Sequence, residues 1–369
     1  MKKLLLFALF SISQFAMASQ SIDELEADCL NHQDVACVRL GVLYVTGNGV
    51  AVSATKASDY FKKGCDLNNG LACGAVGELY EEGKGVEKSF LQAKKYYEKG
   101  CVLGCGMCCK GVGTLYYKGR GVLQSFEKAK EYFEKGCNSD DGISCSLLGI
   151  LYSEGKGVEK SDAQAEIYFE KGCKFNYGFS CFKIGLYYRD GIGVNKSFQK
   201  AREYLEKACN LGFGSACSYL GDLLWDEGHS PLDAKKYYEK GCELSDAKSF
   251  FGIGLLYLAG REVPLSYKKA SEYFKRACDL NYGLACASLG MQYQHGAGVR
   301  QSYQKAKDYF EKGCNLKDGQ SCVNLGALYY EGKGVRQSYK IAKEYFGSGC
   351  DLGNEDGCAK YAELNKRGL

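Results

Sequence analysis

Apolar side chains recur along this chain in the rhythm of one helix face. From Ala72 to Glu82 they fall at Ala72, Val76, Leu79 and Tyr80, an i, i+4, i+7, i+8 stripe. Gly83-Lys84-Gly85-Val86 then interrupts the pattern, and glycines free to take positive φ end the predicted helix there. Ser89 follows as an N-cap for a second helix from about Phe90 to Val102. In that helix Ala93, Tyr96 and Tyr97 mark the buried side, while Lys94, Lys95, Glu98 and Lys99 mark the wet one. Residues 73–108 therefore read as an antiparallel pair of helices, each about 18 Å long for roughly 12 residues.

The same frame returns down the chain. A glycine stands mid-way along each first helix, at Gly41, Gly77, Gly113, Gly149, Gly185, Gly221, Gly254, Gly290 and Gly326. Glycine inside a helix costs about 1 kcal/mol against alanine, so the position predicts a close helix contact that compensates. The period predicts an all-α fold, an α/α solenoid of nine helix-pair units. Their boundaries are 37–72, 73–108, 109–144, 145–180, 181–216, 217–249, 250–285, 286–321 and 322–357. A half-unit helix (21–36) opens the array on the capping box Ser21-Ile22-Asp23-Glu24, and a capping helix (358–369) closes it. With two prolines in the chain and no Ser- or Pro-rich linker, residues 19–369 read as a single repeat domain.

Residues 1–18 carry the marks of a secretory signal: Lys2 and Lys3, the apolar run Leu4 to Phe10, and Ala16-Met17-Ala18. No later run has the length of a membrane span. A secreted or periplasmic location follows, and the 21 cysteines suit such an oxidising compartment. The net charge of +4 is spread among interleaved Lys and Glu, which gives no phosphate-binding stripe and argues against nucleic acid as a partner.

Eighteen of the cysteines stand in couples eight positions apart: Cys29 and Cys37, Cys65 and Cys73, Cys101 and Cys109, Cys137 and Cys145, Cys173 and Cys181, Cys209 and Cys217, Cys278 and Cys286, Cys314 and Cys322, and Cys350 and Cys358. Two pairing schemes are open. Local pairing joins each couple and ties one unit to the next; the alternative joins Cys37 to Cys65, Cys73 to Cys101 and so on within a unit. Local pairing makes nine bridges against eight and is preferred. It leaves Cys105 and Cys108, a C-x-x-C that either pairs or stays partly reduced, and Cys242, whose expected partner is replaced by Phe250. Cys242 is a candidate free or intermolecular thiol. A zinc site at Cys101, Cys105, Cys108 and Cys109 is disfavoured by spacing and by the lack of a nearby histidine, so no metal and no cofactor are expected.

Gly-x-Leu-Tyr-x-x-Gly-x-Gly-Val followed by Lys-Ala-x-x-Tyr-Phe-x-Lys-Gly-Cys resembles the Sel1-like repeat, a relative of the tetratricopeptide repeat. The eight-spaced cysteines and the signal resemble those of the secreted Helicobacter cysteine-rich proteins. That resemblance implies a disulfide-bridged solenoid with local pairing. It also implies two functions for test: binding of host or other proteins, and penicillin binding with weak β-lactamase activity.

The residues favour the first. S-x-x-K, used by serine penicillin-recognising enzymes, occurs at Ser53-Lys56, Ser125-Lys128, Ser197-Lys200, Ser266-Lys269 and Ser302-Lys305, but S-D-N and K-T-G are absent. Each serine sits at the N-cap phase of its unit, as do Ser89, Ser161, Ser230 and Ser338 without the lysine. His32, His229 and His295 are scattered and form no metal-binding frame. Binding is expected along one face of the first helices, one, five and eight residues after the cysteine phase. The candidates are Phe182, Leu186 and Arg189; Ser218, Asp222 and Trp225; Phe251, Leu255 and Leu258; and Val323, Ala327 and Tyr330. The same stripe could instead pack against the next unit. The expected occupant of this concave groove is a peptide, a partner protein or a cell-wall or β-lactam-like fragment, with Trp225, the sole tryptophan, as its best anchor.

Overall fold

Asn69 and Ser89 start the two helices of the specimen unit. The Asn69 side chain accepts the Ala72 backbone N–H at 2.9 Å, which sets the first helix at Gly70–Glu82, two residues earlier than the apolar stripe alone indicates. Ser89 Oγ accepts the Gln92 N–H at 3.3 Å and opens Phe90–Val102. Gly83, at φ +73°, closes the first helix in a left-handed turn. These features belong to a computed structural model describing residues 20–226, 231–260 and 262–369. The secretory signal read in residues 1–18 lies outside the described residues, as do His229 and Ser230.

Among the described residues every regular element is a helix, twenty in all, running as antiparallel pairs in a solenoid arrangement. The mid-helix glycines have a direct cause. A Cβ on Gly77 would lie 2.6 Å from the Tyr97 ring, one on Gly113 2.6 Å from Phe133, and one on Gly254 2.5 Å from Phe274. The first helix thus lays bare backbone on an aromatic ring of the second, and Phe61, Phe133, Phe169, Phe274, Phe310 and Phe346 are fully buried by that contact. Gly113→Val is expected to destabilise the fold by about 2 kcal/mol through overpacking, read from urea unfolding midpoints. An unchanged midpoint would mean that the Phe133 ring can move aside.

A second aromatic row runs beside the first. Tyr44 stacks on Tyr60 at 5.6 Å, Tyr80 on Tyr96 at 5.6 Å and Tyr152 on Tyr168 at 5.4 Å, always from the first helix to the second. Their hydroxyls also link successive second helices. Tyr60 donates to Glu26 at 2.7 Å, and Tyr132 donates to Glu98 at 3.0 Å.

The chain divides into two bodies, one ending at Ser197 and the other beginning at Phe198, between the two helices of the fifth unit.

Candidate functional site

The eight-spaced cysteines are joined as nine bridges, with Cα–Cα distances of 4.5–4.8 Å. Cys29 is bonded to Cys37, Cys65 to Cys73, Cys101 to Cys109, Cys137 to Cys145 and Cys173 to Cys181. Beyond these, Cys209 is bonded to Cys217, Cys278 to Cys286, Cys314 to Cys322 and Cys350 to Cys358. Each bridge ties the last turn of a second helix to the first turn of the next first helix, as Cys65 does with Cys73. Cys181, Cys217, Cys286 and Cys322 are fully buried, and Cys358, at the last junction, is half-buried. These sulfurs staple the junctions from inside and present no binding surface. Cys105 and Cys108 are also bridged. Cys242 keeps a free thiol, and burial, with the Asp246 carboxylate beside it, pushes that thiol up to about 12. Phe250 takes the position of the missing partner and sits under the Arg276 guanidinium, 5.9 Å from its ring centroid.

In four of the five S-x-x-K pairs the serine is a helix cap. Ser53, Ser125, Ser266 and Ser302 each accept the backbone N–H of the lysine three residues on, at 3.2–3.3 Å. The lysine heads lie elsewhere: Lys56 is 5.0 Å from the Tyr44 ring centroid, Lys128 5.3 Å from Tyr116, Lys269 5.0 Å from Tyr257 and Lys305 5.1 Å from Tyr293. Serine caps a helix and lysine covers an aromatic ring, in one unit after another.

The predicted binding stripe divides by position. Its first member is buried in Ser218, Phe251 and Val323. Phe251 is therefore no groove residue; it packs on Phe274 and Tyr282, both at 5.3 Å between ring centroids. Asp222 is occupied as well, accepting from Tyr238 Oη at 2.7 Å and Lys248 Nζ at 2.5 Å. Tyr330 Oη accepts from Arg367 at 2.9 Å. Phe182, Leu186 and Trp225 are half-buried, Arg189 pairs with the adjacent Asp190 at 2.7 Å, and Leu255 is exposed.

On the same stripe, in the body ending at Ser197, stands half-buried Glu78. Burial raises its carboxyl from 4.5 to about 7; Lys110 opposes the shift, and Glu82 and Glu81 add to it. Between those two values the folded state holds a proton that the unfolded chain has lost, so stability falls as pH rises from 4.5 to 7. Glu78→Gln is expected to stabilise the protein at pH 8 by up to about 3 kcal/mol and to change little at pH 4. Equal gains at both pH values in urea titrations would sink this account.

A concavity of that body lies elsewhere, at the ends of the first helices. An open groove of about 820 Å³ runs across the junction turns from Asp34 to Tyr177. Leu71, Leu103, Met107, Ile143 and Phe175 give it an apolar floor, and Asp34, Asp140 and Asp141 an acidic rim; no Lys, Arg or His lines it. Asp141 caps its helix by accepting the Ser144 N–H at 2.8 Å, and Asp34 accepts from the side-chain amide of the capping residue Asn69 at 2.7 Å. None of Phe182, Leu186 and Arg189 lines this groove. The signal missed in the sequence is an apolar residue two before the second cysteine of successive couples in this body, at Leu71, Met107 and Ile143. Leu71 is 41% exposed at that position. Among the described residues no cluster of His, Cys, Asp and Glu is arranged to hold a metal ion, and no helix is long and apolar enough to cross a membrane.

Antiparallel helix pairs at a fixed period, with a bridge at most junctions, define an α/α repeat scaffold. The chain belongs to the Sel1 repeat family: that family's model, the Sel1 repeat, matches it nine times, at residues 34–69, 70–105, 107–141, 142–174, 178–213, 215–246, 251–282, 283–318 and 319–354. Among solved structures it is similar to c5321, a protective antigen of uropathogenic Escherichia coli strains displaying an SLR fold. That match has a TM-score of 0.60 and 23% identity, over 99% of this chain and 88% of that one. It is similar also to a Sel1 repeat protein from Oxalobacter formigenes, with a TM-score of 0.58 and 21% identity over 65% of this chain and 96% of that one. Cysteine-rich protein B of Helicobacter pylori is 35% identical over 34% of this chain and 91% of its own length, with a TM-score of 0.29. Comparison with curated proteins gives no match. Repeats of this family generally bind proteins, and ten bridges in one chain fit an oxidising environment outside the cytoplasm.

Proposed function

We propose that the chain is an exported scaffold that holds an extended polypeptide in the groove between Asp34 and Tyr177. The observation that supports this reading is the lining: apolar side chains inside an acidic rim, without a basic group. The matching ligand is a segment with alternating apolar and cationic side chains, since charge complementarity selects among partners and apolar burial supplies affinity. Binding of the oxidised protein to an array of immobilised 15-residue peptides tests it. Retention of Lys- or Arg-bearing apolar peptides, weakened about tenfold or more by Leu71→Lys with Ile143→Lys, is expected. No retention, or retention that the double variant leaves unchanged, would overturn the assignment.

A further inference from the structure

We propose that Cys105 and Cys108 form a thiol–disulfide exchange site that oxidises a pair of cysteine thiols in an extended polypeptide. The choice of substrate rests on the groove reading above; the exchange chemistry does not.

The fold has no structural need of this bridge. Equivalent positions at several other junctions carry a capping residue and a small one. Asn69 caps Ala72 at 2.9 Å, Asp141 caps Ser144 at 2.8 Å, Asp246 caps Ser249 at 2.9 Å and Asp318 caps Ser321 at 2.8 Å. Each of those helices starts without a second disulfide. Around Cys105 the junction is already stapled by Cys101–Cys109, inside which the C-x-x-C bridge is nested. Opening the inner bridge leaves the outer one closed and the unit intact.

Its two sulfurs are placed unequally. Cys105 lines the acidic, apolar groove and keeps 8% of its surface exposed; Cys108 has none. Cys108 Sγ lies 3.3 Å from the Gly70 carbonyl oxygen, and a Cβ on Gly74 would come within 2.8 Å of it. An incoming thiolate therefore reaches Cys105 and not Cys108. Cys105 is also the N-cap of Gly106–Lys118, and its Sγ accepts the Cys108 backbone N–H at 3.2 Å. Negative charge on that sulfur faces the positive end of a 13-residue helix, which lowers a thiol's pKa and makes it a good leaving group.

The steps balance as a two-electron exchange. A substrate thiolate attacks Cys105 Sγ, the Cys105–Cys108 bond breaks, and Cys108 leaves as a thiolate and takes up a proton. The substrate's second thiolate then attacks its own sulfur in the mixed disulfide and expels Cys105. The substrate ends as a disulfide and the C-x-x-C as two thiols. A low-molecular-weight disulfide such as oxidised glutathione restores the starting state.

Two measurements on the full oxidised protein test this. In the first, the protein is equilibrated against graded ratios of reduced to oxidised dithiothreitol, alkylated and mapped by mass spectrometry. Cys105 and Cys108 are expected to be labelled at ratios where the nine eight-spaced bridges stay closed; labelling together with the others would overturn the proposal. In the second, a synthetic Lys- and Leu-containing peptide with two reduced cysteines is added, and its thiol loss is compared with that given by a Cys105→Asp, Cys108→Ser double variant. That variant recreates the Asp141 and Ser144 pair, and its circular dichroism melt checks that it folds. Oxidation at least ~100-fold slower in the variant is expected, and equal rates would overturn the exchange site. Anisotropy of the same peptide with serine for cysteine reports groove binding separately. Selective bridge opening without peptide binding would remove the groove reading and leave the exchange site standing.

Discussion

Reduction of all ten bridges is expected to unfold this chain at neutral pH and 25 °C, with loss of its far-ultraviolet helical signal. Each eight-spaced bridge closes a short loop and, on the chain-entropy estimate, contributes about 2.5 kcal/mol by restricting the unfolded state. Nine such terms exceed the net stability of about 5–15 kcal/mol typical of a folded domain. The cores offer little reserve, because a stacked repeat buries its rings against adjacent units rather than in one shared interior. The check is circular dichroism after exhaustive reduction and alkylation, beside the oxidised protein. A cooperative melt retained by the alkylated chain would show that the aromatic rows alone hold it, and that the bridges are accessory.

Phe133→Ala is expected to cost about 4 kcal/mol. The ring is 1% exposed and packs with Ala129, Cys145, Leu148 and Leu151. On its other side lies Gly113, which has no side chain to relax into the space. The void therefore borders bare helix backbone and stays open. Leu123→Ala is the control: Leu123 is 91% exposed and should shift stability by under ~0.5 kcal/mol. Urea unfolding of each variant supplies the numbers. Coupling provides a sharper check, since Gly113→Val combined with Phe133→Ala should cost less than the two changes added. A simple sum would mean that glycine and ring are not in contact.

Periodicity made the fold readable. The glycine at the centre of each first helix signalled a close contact, and Phe61, Phe133 and Phe274 prove to be what it contacts. Serine at a fixed phase signalled a cap, and Ser53, Ser89, Ser125 and Ser161 accept the backbone N–H three residues on. The site was harder to read because helical spacing identifies a face but not what covers it. Phe251 shares a stripe with Leu255, yet one is buried under Phe274 and the other meets solvent. The groove from Asp34 to Tyr177 escaped for another reason. It is assembled from capping turns of successive units, so its lining residues stand about one repeat apart in sequence and form no motif. Likewise, the role assigned to Cys105 depends on which sulfur is shielded, and burial is not encoded in a C-x-x-C.

The eight-residue span of the junction bridges bears on how such a chain matures. Each pair is complete almost as soon as its second cysteine emerges, wherever the rest of the polypeptide is. A chain delivered end first into an oxidising space could lock one junction after another in the order of delivery. Closing a loop of eight residues is several-fold more probable than closing one of 28, so local partners are favoured over the within-unit alternative, and lengthening the array by a whole repeat leaves that preference unchanged.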